Sequence, residues 1–319
     1  MPRRAPLGLV LLFGTVFLLA ASPRQASAAK RPPPVVGRWN LTMTAADGTT
    51  FPGWLELSFD DKTGALAGRM CGRVGKALPL DRAEWKRNEL VFVSNPGGIG
   101  APRTYRLKIR FGLLQGAGEA PGEQLWTLMG TRAPKFIARK RVAWGKPVTL
   151  VSRGLLGWRL RDGRHGTCWR EMAGVLESRA TCADIVSDGR YQDFKLHLEV
   201  KLPKGGATGV FLRGRYQVQL ADDANRPPSD ETSGAIYGLI APTQSAAKPA
   251  GEWQTLDVTL VGRMVTVVLN GTRVIDGQDI AGPTGGALDS EESTPGSIML
   301  EAEKGPLAFR NLVVTPATW

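Results

Sequence analysis

From Phe194 to Leu202 every second residue is apolar (Phe194, Leu196, Leu198, Val200, Leu202), with Lys195, His197, Glu199 and Lys201 between them. A helix cannot present a repeat of two on one face, whereas a strand buries one side and wets the other. His197 therefore belongs to a solvated strand face rather than a catalytic centre. The next segment, Thr208 to Leu220, has two parities: Val210, Leu212, Tyr216, Val218 and Leu220 on one, Phe211, Arg213, Arg215, Gln217 and Gln219 on the other. The second is long and rich in arginine and amide groups, as a groove that hydrogen-bonds sugar hydroxyls would be; ordinary exterior polarity explains it equally well. Alternation returns in Trp253 to Leu260, and Val265–Leu269 runs into Asn270-Gly271, the pair that closes a two-residue hairpin, before Arg273-Val274-Ile275. Ser297–Leu300 and Leu307–Val314 close the region. Long antiparallel strands with long loops predict a two-sheet sandwich.

The earlier part of the chain has a different texture. Between Val35 and Arg141, short alternating runs (Trp39–Met43, Trp54–Phe59, Leu90–Val93, Tyr105–Ile109) are punctuated by turns such as Asp61-Lys62-Thr63-Gly64. No helical period appears, and the spacing predicts a small β-meander or barrel over residues 35–141. Core packing accounts for Trp39, Trp54, Trp85 and Trp126 more simply than a ligand cavity. Val142 to Pro147 reads as the junction, with the second domain over residues 147–319.

The first residues read as an address. Arg3 and Arg4 precede a short apolar run, Leu9 to Ala21, and Ala26-Ser27-Ala28 is a small-residue cleavage signal, so residues 1–28 are expected to be an export signal. The run is short for a bilayer span and no second one follows, so no integral membrane span is expected after cleavage. The product would be periplasmic or extracellular. Arg3, Arg4 and Arg24 would leave with the leader, taking the formal charge of +12 down to about +9. Such an excess attracts polyanions. The clusters Lys135-Arg139-Lys140-Arg141 and Arg153-Arg159-Arg161-Arg164 invite a nucleic-acid or acidic-glycan reading, but they surround a domain junction without any recognition helix or aromatic-studded RNA-binding pattern, so a solvated basic surface is expected and nucleic acid is not. Of three cysteines, Cys168 and Cys182 lie in one domain and form the natural disulfide pair for an oxidising compartment, leaving Cys71 over. With only His165 and His197 in the chain, no Cys/His metal pattern exists; a carboxylate-held ion stays open.

Six segments, taken in order, resemble the 3-keto-disaccharide hydrolase domain family. They are Gly205 to Asp222 with Thr208–Gln219 at its centre, Gly234-Ala235-Ile236-Tyr237-Gly238, Pro249–Thr255, Val267–Gly271, Thr284–Ser290 and Phe309-Arg310-Asn311. The resemblance covers about residues 147–316 and implies a concanavalin-like, lectin-type jelly roll whose concave sheet holds a sugar. It also implies chemistry on glycosides already oxidised at carbon 3: a base removes the acidified C2 proton, the enolate expels the C1 substituent, and hydration completes a net hydrolysis. That needs a carboxylate or imidazole base and a cation or hydrogen-bond donor for the enolate.

The chain departs from the family where that chemistry would sit. Where relatives often read Tyr-Glu-Val-Gln it has Tyr216-Gln217-Val218-Gln219, and where they often read Leu-Gln-Gly-Asp-His-Gly it has Leu300-Glu301-Ala302-Glu303-Lys304-Gly305. Ala207-Thr208 replaces the usual Asn-Ser. On the resemblance, Glu301 or Glu303 is expected to be the base, with Lys304 and Arg213 supplying the missing cation. Arg213, Gln217 and Gln219 would line the groove, Tyr237 and Trp253 would stack on sugar, and Asp289 would lie on a glycine-rich loop over the ligand. Arg310 is expected to tie the last strand to its neighbours. No cofactor is required with certainty, and a divalent metal is left open. The alternatives are a catalytically impaired relative that only binds glycan, and a surface assembly protein.

Overall fold

The computed structural model describes residue 1 and residues 31–95, 101–122, 125–136, 141–151, 154–163, 168–179 and 182–318. The expected leader, Arg139, Lys140, Arg153, Arg164 and His165 lie outside the described residues. Among those described, the protein is all-β. Among the described residues no helix is long and apolar enough to cross a membrane.

The first nine strands are β1 (Gly37–Thr44), β2 (Thr50–Phe59), β3 (Leu66–Cys71), β4 (Leu78–Pro79), β5 (Arg82–Lys86), β6 (Glu89–Ser94), β7 (Arg103–Arg110), β8 (Leu113–Glu119) and β9 (Trp126–Arg132). They form one antiparallel sheet in the order β4-β3-β2-β1-β9-β8-β7-β6-β5, curled so that β3 and β5 approach. Alternate residues point inward: Trp39, Leu41 and Met43 from β1, Leu55 and Leu57 from β2, Leu90 and Phe92 from β6, Tyr105 and Leu107 from β7. The ring of Phe92 stacks on Tyr105 at 4.7 Å. Trp85 and Trp126 pack against this core. Trp54 faces the other way, toward the second domain.

The remaining strands are β10 (Ala143–Trp144), β11 (Val148–Thr149), β12 (Trp158–Leu160), β13 (Trp169–Met172), β14 (Val175–Ser178), β15 (Ile185–Tyr191), β16 (Phe194–Lys201), β17 (Ala207–Leu212), β18 (Tyr216–Ala221), β19 (Trp253–Val261), β20 (Met264–Leu269), β21 (Thr272–Asp279), β22 (Gly296–Leu300) and β23 (Ala308–Thr318). One sheet runs β13-β14-β23-β16-β19-β20-β21, with β10 and β11 also pairing to β23; the other runs β12-β15-β22-β17-β18. Together they make the expected jelly-roll sandwich. The apolar parity of β16, β19 and β20 meets Val210, Leu212, Tyr216, Val218, Leu220, Ile298 and Leu300 in a single core. Asn270 (φ 51°) and Gly271 (φ 79°) take the left-handed conformations that a tight hairpin needs, and the Asn270 amide donates to Ala246 O and Gln254 Oε1. Arg310 pairs with Glu199 across β23 and β16 at 2.6 Å. Cys168 and Cys182 are disulfide-bonded, and Cys71 is buried with its thiol pushed up to about 12 by burial.

The domains are joined through the loop between β21 and β22. Asn40 donates to Ser290 O at 2.7 Å and Trp54 Nε1 to Pro283 O at 2.9 Å, both from the outer face of β1–β2. Glu292 is fully buried; it accepts from Arg38 at 2.5 Å and from the Tyr216 hydroxyl at 2.7 Å. A carboxylate held in this way is neutralised only while both domains are docked.

Two stability outcomes follow. Glu292→Ala strands Arg38 and Tyr216 in the interior and should cost about 3–5 kcal/mol in urea unfolding; a change under about 0.5 kcal/mol would show the junction to be incidental. A Cys168→Ala/Cys182→Ala variant, opening a loop closed over a separation of 14 residues, should lose about 3 kcal/mol under non-reducing conditions. Reductant should bring the parent protein to the same value.

Candidate functional site

The five-stranded sheet has a second face, turned away from the core, and the alternation of its strands decides what appears there. Odd residues of β17, β18 and β22 and of the chain just past β22 share it: Gly209, Phe211, Gln217, Gln219, Met299 and Glu301. Its lower part is apolar, with Val186, Phe211 and Met299 packed under Leu288 of the interdomain loop. Its upper part is polar.

There the Gln217 amide donates to Gln219 Oε1 at 2.7 Å and to Glu301 Oε2 at 3.3 Å. Both glutamines are only 5% exposed, so these bonds replace water. Gly209 leaves the room: a Cβ there would stand 2.6 Å from Glu301 Oε2 and 2.7 Å from Gln217 Cγ. The backbone of Glu301 is fixed by its own N–H to Gly209 O (2.9 Å) and by the Thr208 hydroxyl donating to its carbonyl (2.6 Å). Thus Ala207-Thr208-Gly209 forms the cradle of the carboxyl. Asp184 flanks it, accepting from Ala302 N–H at 3.1 Å and from Arg161 Nη1 at 3.1 Å.

Burial first, and then the neighbouring charges of Asp184 and Glu303, push the Glu301 carboxyl up to about 8 against the opposing pull of Arg161. Tyr237, whose N–H donates to Gln217 O at 3.0 Å, lies within the same field. Burial followed by Glu231 and Glu303 raises its phenol, so it stays a neutral O–H donor. The first domain reaches this rim. Lys76 bridges Asp230 (3.0 Å) and Glu231 (2.8 Å) beside the Tyr237-Gly238 turn, whose Gly238 Cβ position is 3.0 Å from Lys76.

The structure therefore brings Gln217, Gln219, Tyr237, Glu301 and Glu303 together, Glu303 being exposed at the edge. Lys304 is exposed beside them, its backbone bridging Ala207, and among the described residues its side chain makes no ion pair. Three residues expected in the groove lie elsewhere. Arg213 is fully buried; it donates to Glu292 O at 3.2 Å and to Gly262 O. The turn between β17 and β18, with Arg213 at φ 54° and Gly214 at φ 66°, breaks the alternation and swings Arg213 and Arg215 into the interdomain junction. Asp289 is taken up by Arg215 Nε at 2.5 Å, stapling the loop rather than facing a ligand. Trp253 sits on the outer face of the other sheet, under Arg310 (4.1 Å) and Lys201 (5.1 Å).

Asp184, Arg161 and Lys76 were missed from sequence. Asp184 is legible in hindsight, standing one residue before buried Ile185 and so on its opposite face. Arg161 is hidden in a basic cluster, and Lys76 belongs to another domain. Among the described residues no three His, Cys, Asp or Glu side chains are arranged to hold a metal ion. Asp184 and Glu303 act on the Glu301 carboxyl through their charge, and the three do not converge as ligands.

With this geometry in view, the relatives are informative. The profile of the 3-keto-alpha-glucoside-1,2-lyase-like domain matches residues 150–315, more than half of the chain. The chain belongs to that family. The matched segment contains every residue of the polar cluster except Lys76, and the domain is of a carbohydrate-active kind. No curated protein matches the sequence. Two crystal structures, each of a "putative glycosyl hydrolase" from Parabacteroides distasonis ATCC 8503, are similar to it: one at 23% identity over 58% of this chain and 94% of that one (TM-score 0.46), the other at 26% over 54% and 100% (TM-score 0.44). A carbohydrate binding module, CBM66 from Bacillus subtilis, is similar at 15% identity over 49% and 93% (TM-score 0.36).

The raised Glu301 carboxyl has a consequence for stability. The folded chain holds this proton up to about pH 8, whereas an unfolded chain releases it near the ordinary 4.5. Between those values the native state binds more protons, so this group lowers stability as pH rises and adds no slope outside the window. Glu301→Gln should flatten the fall in Tm between about pH 5 and pH 8. An unchanged profile would place the carboxyl in water.

Proposed function

We propose that the protein cleaves 3-keto-glycosides at the polar end of the five-stranded sheet, by C2 proton abstraction, elimination of the C1 substituent and hydration. The observation that carries this reading is Glu301: a largely buried carboxyl, raised to about 8, that accepts from the Gln217 amide rather than from a cation. A base is most effective when its pKa lies near the working pH, and a desolvated carboxylate is a stronger base than an exposed one.

In this reading Glu301 Oε2 takes the C2 proton and the electron pair moves onto the C3 carbonyl oxygen as an enolate. Arg161, held against Asp184, supplies positive potential, and the neutral Tyr237 hydroxyl supplies a hydrogen bond to developing oxyanion charge. Collapse of the enolate breaks the C1–O bond, and the departing oxygen takes a proton from water to leave as the alcohol, giving hydroxide. That hydroxide adds at C1 of the C1–C2 double bond, and Glu301 returns its proton to C2. Gln217 orients Glu301, and Gln219 fixes Gln217. Lys76 and Tyr237 shape the rim. Export accompanies this reading, supported by the leader-like start and by the Cys168–Cys182 bond, which suits an oxidising compartment.

The purified protein should release aglycone from an aryl 3-keto-glucoside, with kcat rising with pH through about 8 as Glu301 deprotonates. Glu301→Gln should lower kcat by about a thousandfold or more and abolish that limb, whereas Glu303→Gln should change it less than tenfold. Gln217, standing where relatives carry an acid, favours one rival: binding of unmodified glycan without turnover. No release by folded protein, together with glycan affinity, would establish that rival and discard the catalytic one.

A further inference from the structure

A second recess, of about 670 Å³, opens between the domains and shares no lining residue with the Glu301 site. Arg38, Arg69, Arg132, Lys135 and Arg263 line it, against Glu56 and Asp279. Three of the cations have carboxylate partners: Arg38 with Glu292 beneath (2.5 Å), Arg69 with Glu56 (2.8 Å) and Arg263 with Asp279 (3.3 Å). Arg132 spends its donors on the carbonyls of Val36 and Pro34, and neither it nor Lys135 pairs with a carboxylate among the described residues. The walls therefore carry more positive than negative charge even after every pairing.

The guanidinium groups are also under-used. The Arg38 side chain is 8% exposed, yet its Nε and Nη1 find no acceptor, and neither does the buried Nε of Arg263. A buried guanidinium N–H without an acceptor carries the full cost of its lost hydration. An acceptor that reached these groups would offset that cost. The planar fork of arginine matches the paired oxygens of a carboxylate or sulfate.

We propose that this interdomain recess binds the carboxylate or sulfate group of an acidic saccharide, with Arg38 and Arg263 as the buried donors and Arg132 and Lys135 as the outer cations. The oxyanion preference stands on the recess alone. The saccharide carrier rests on the family reading and on a volume well within the range of small-ligand pockets and larger than a bare ion fills. Lys135 comes from a basic cluster that invites an acidic-glycan reading, and the recess places it where only the docked domains bring the other cations.

Isothermal titration of the full chain with sodium glucuronate, glucose and sodium sulfate, at ionic strength matched with sodium chloride, tests this. Glucuronate should bind, glucose should not, and sulfate should bind more weakly than glucuronate. Arg263→Gln, which leaves only a half-exposed Asp279 unpaired, should weaken glucuronate about tenfold, and Lys135→Gln should weaken it less. Aglycone release from the neutral keto-glucoside should stay at the parent rate in both variants, so failure here and failure of the catalytic reading are separable. Absence of glucuronate binding, equal binding of glucose, or unchanged affinity in folded Arg263→Gln would overturn the site. Sulfate binding as tightly as glucuronate would overturn the saccharide assignment.

Discussion

A single buried carboxylate organises the molecule. Glu292 has no exposure and stands between Arg38 of the first domain and Tyr216 of the second. Removing either partner would leave charge in the interior, which is expensive, so the two domains cannot separate without first hydrating that charge. The loop that carries Glu292 is thereby pinned along its length, by Asn40 to Ser290, Trp54 to Pro283 and Gly286 N–H to Arg73 O. Pinned there, its Leu288 covers the apolar half of the outer sheet face and leaves only the polar half open. The position of the candidate site is a consequence of how the domains are bolted.

That dependence explains what could be read from sequence. A repeat of two is a local property, so the burial of Phe194, Leu196, Leu198 and Val200, the Asn270-Gly271 hairpin and the facing parity of Val210 and Val218 were all legible. The Cys168–Cys182 pair followed from membership of one domain. The loop between β21 and β22 has no period at all. Its role is set by partners some 250 residues away in sequence, such as Asn40 for Ser290, and no local pattern records them.

The candidate site divides along the same line. Gln217, Gln219 and Glu301 share a face because each strand keeps its alternation, and that much was visible. Arg213 continued the parity on paper but lies one step past Leu212, in a turn with positive φ, where alternation no longer governs direction. Trp253 was assigned to the groove by its motif, but its strand belongs to the other sheet. Sequence order within a family motif does not say which sheet receives it.

The glutamine at position 217 is best understood through electrostatics. An acid there would place a second carboxyl about 3.3 Å from Glu301 Oε2, the separation of the present amide nitrogen, and the two would have to share a proton. The amide turns that repulsion into a donor–acceptor contact. It leaves Glu301 as the one desolvated carboxyl at the centre of the cluster, with its proton affinity set by burial and only then by Asp184 and Glu303. The amide also lends the charged form of Glu301 a hydrogen bond, so the elevation that remains comes from burial and not from a competing acid at position 217. Under the proposed reading that single carboxyl is the base, and the Ala207-Thr208-Gly209 cradle is what keeps it out of water.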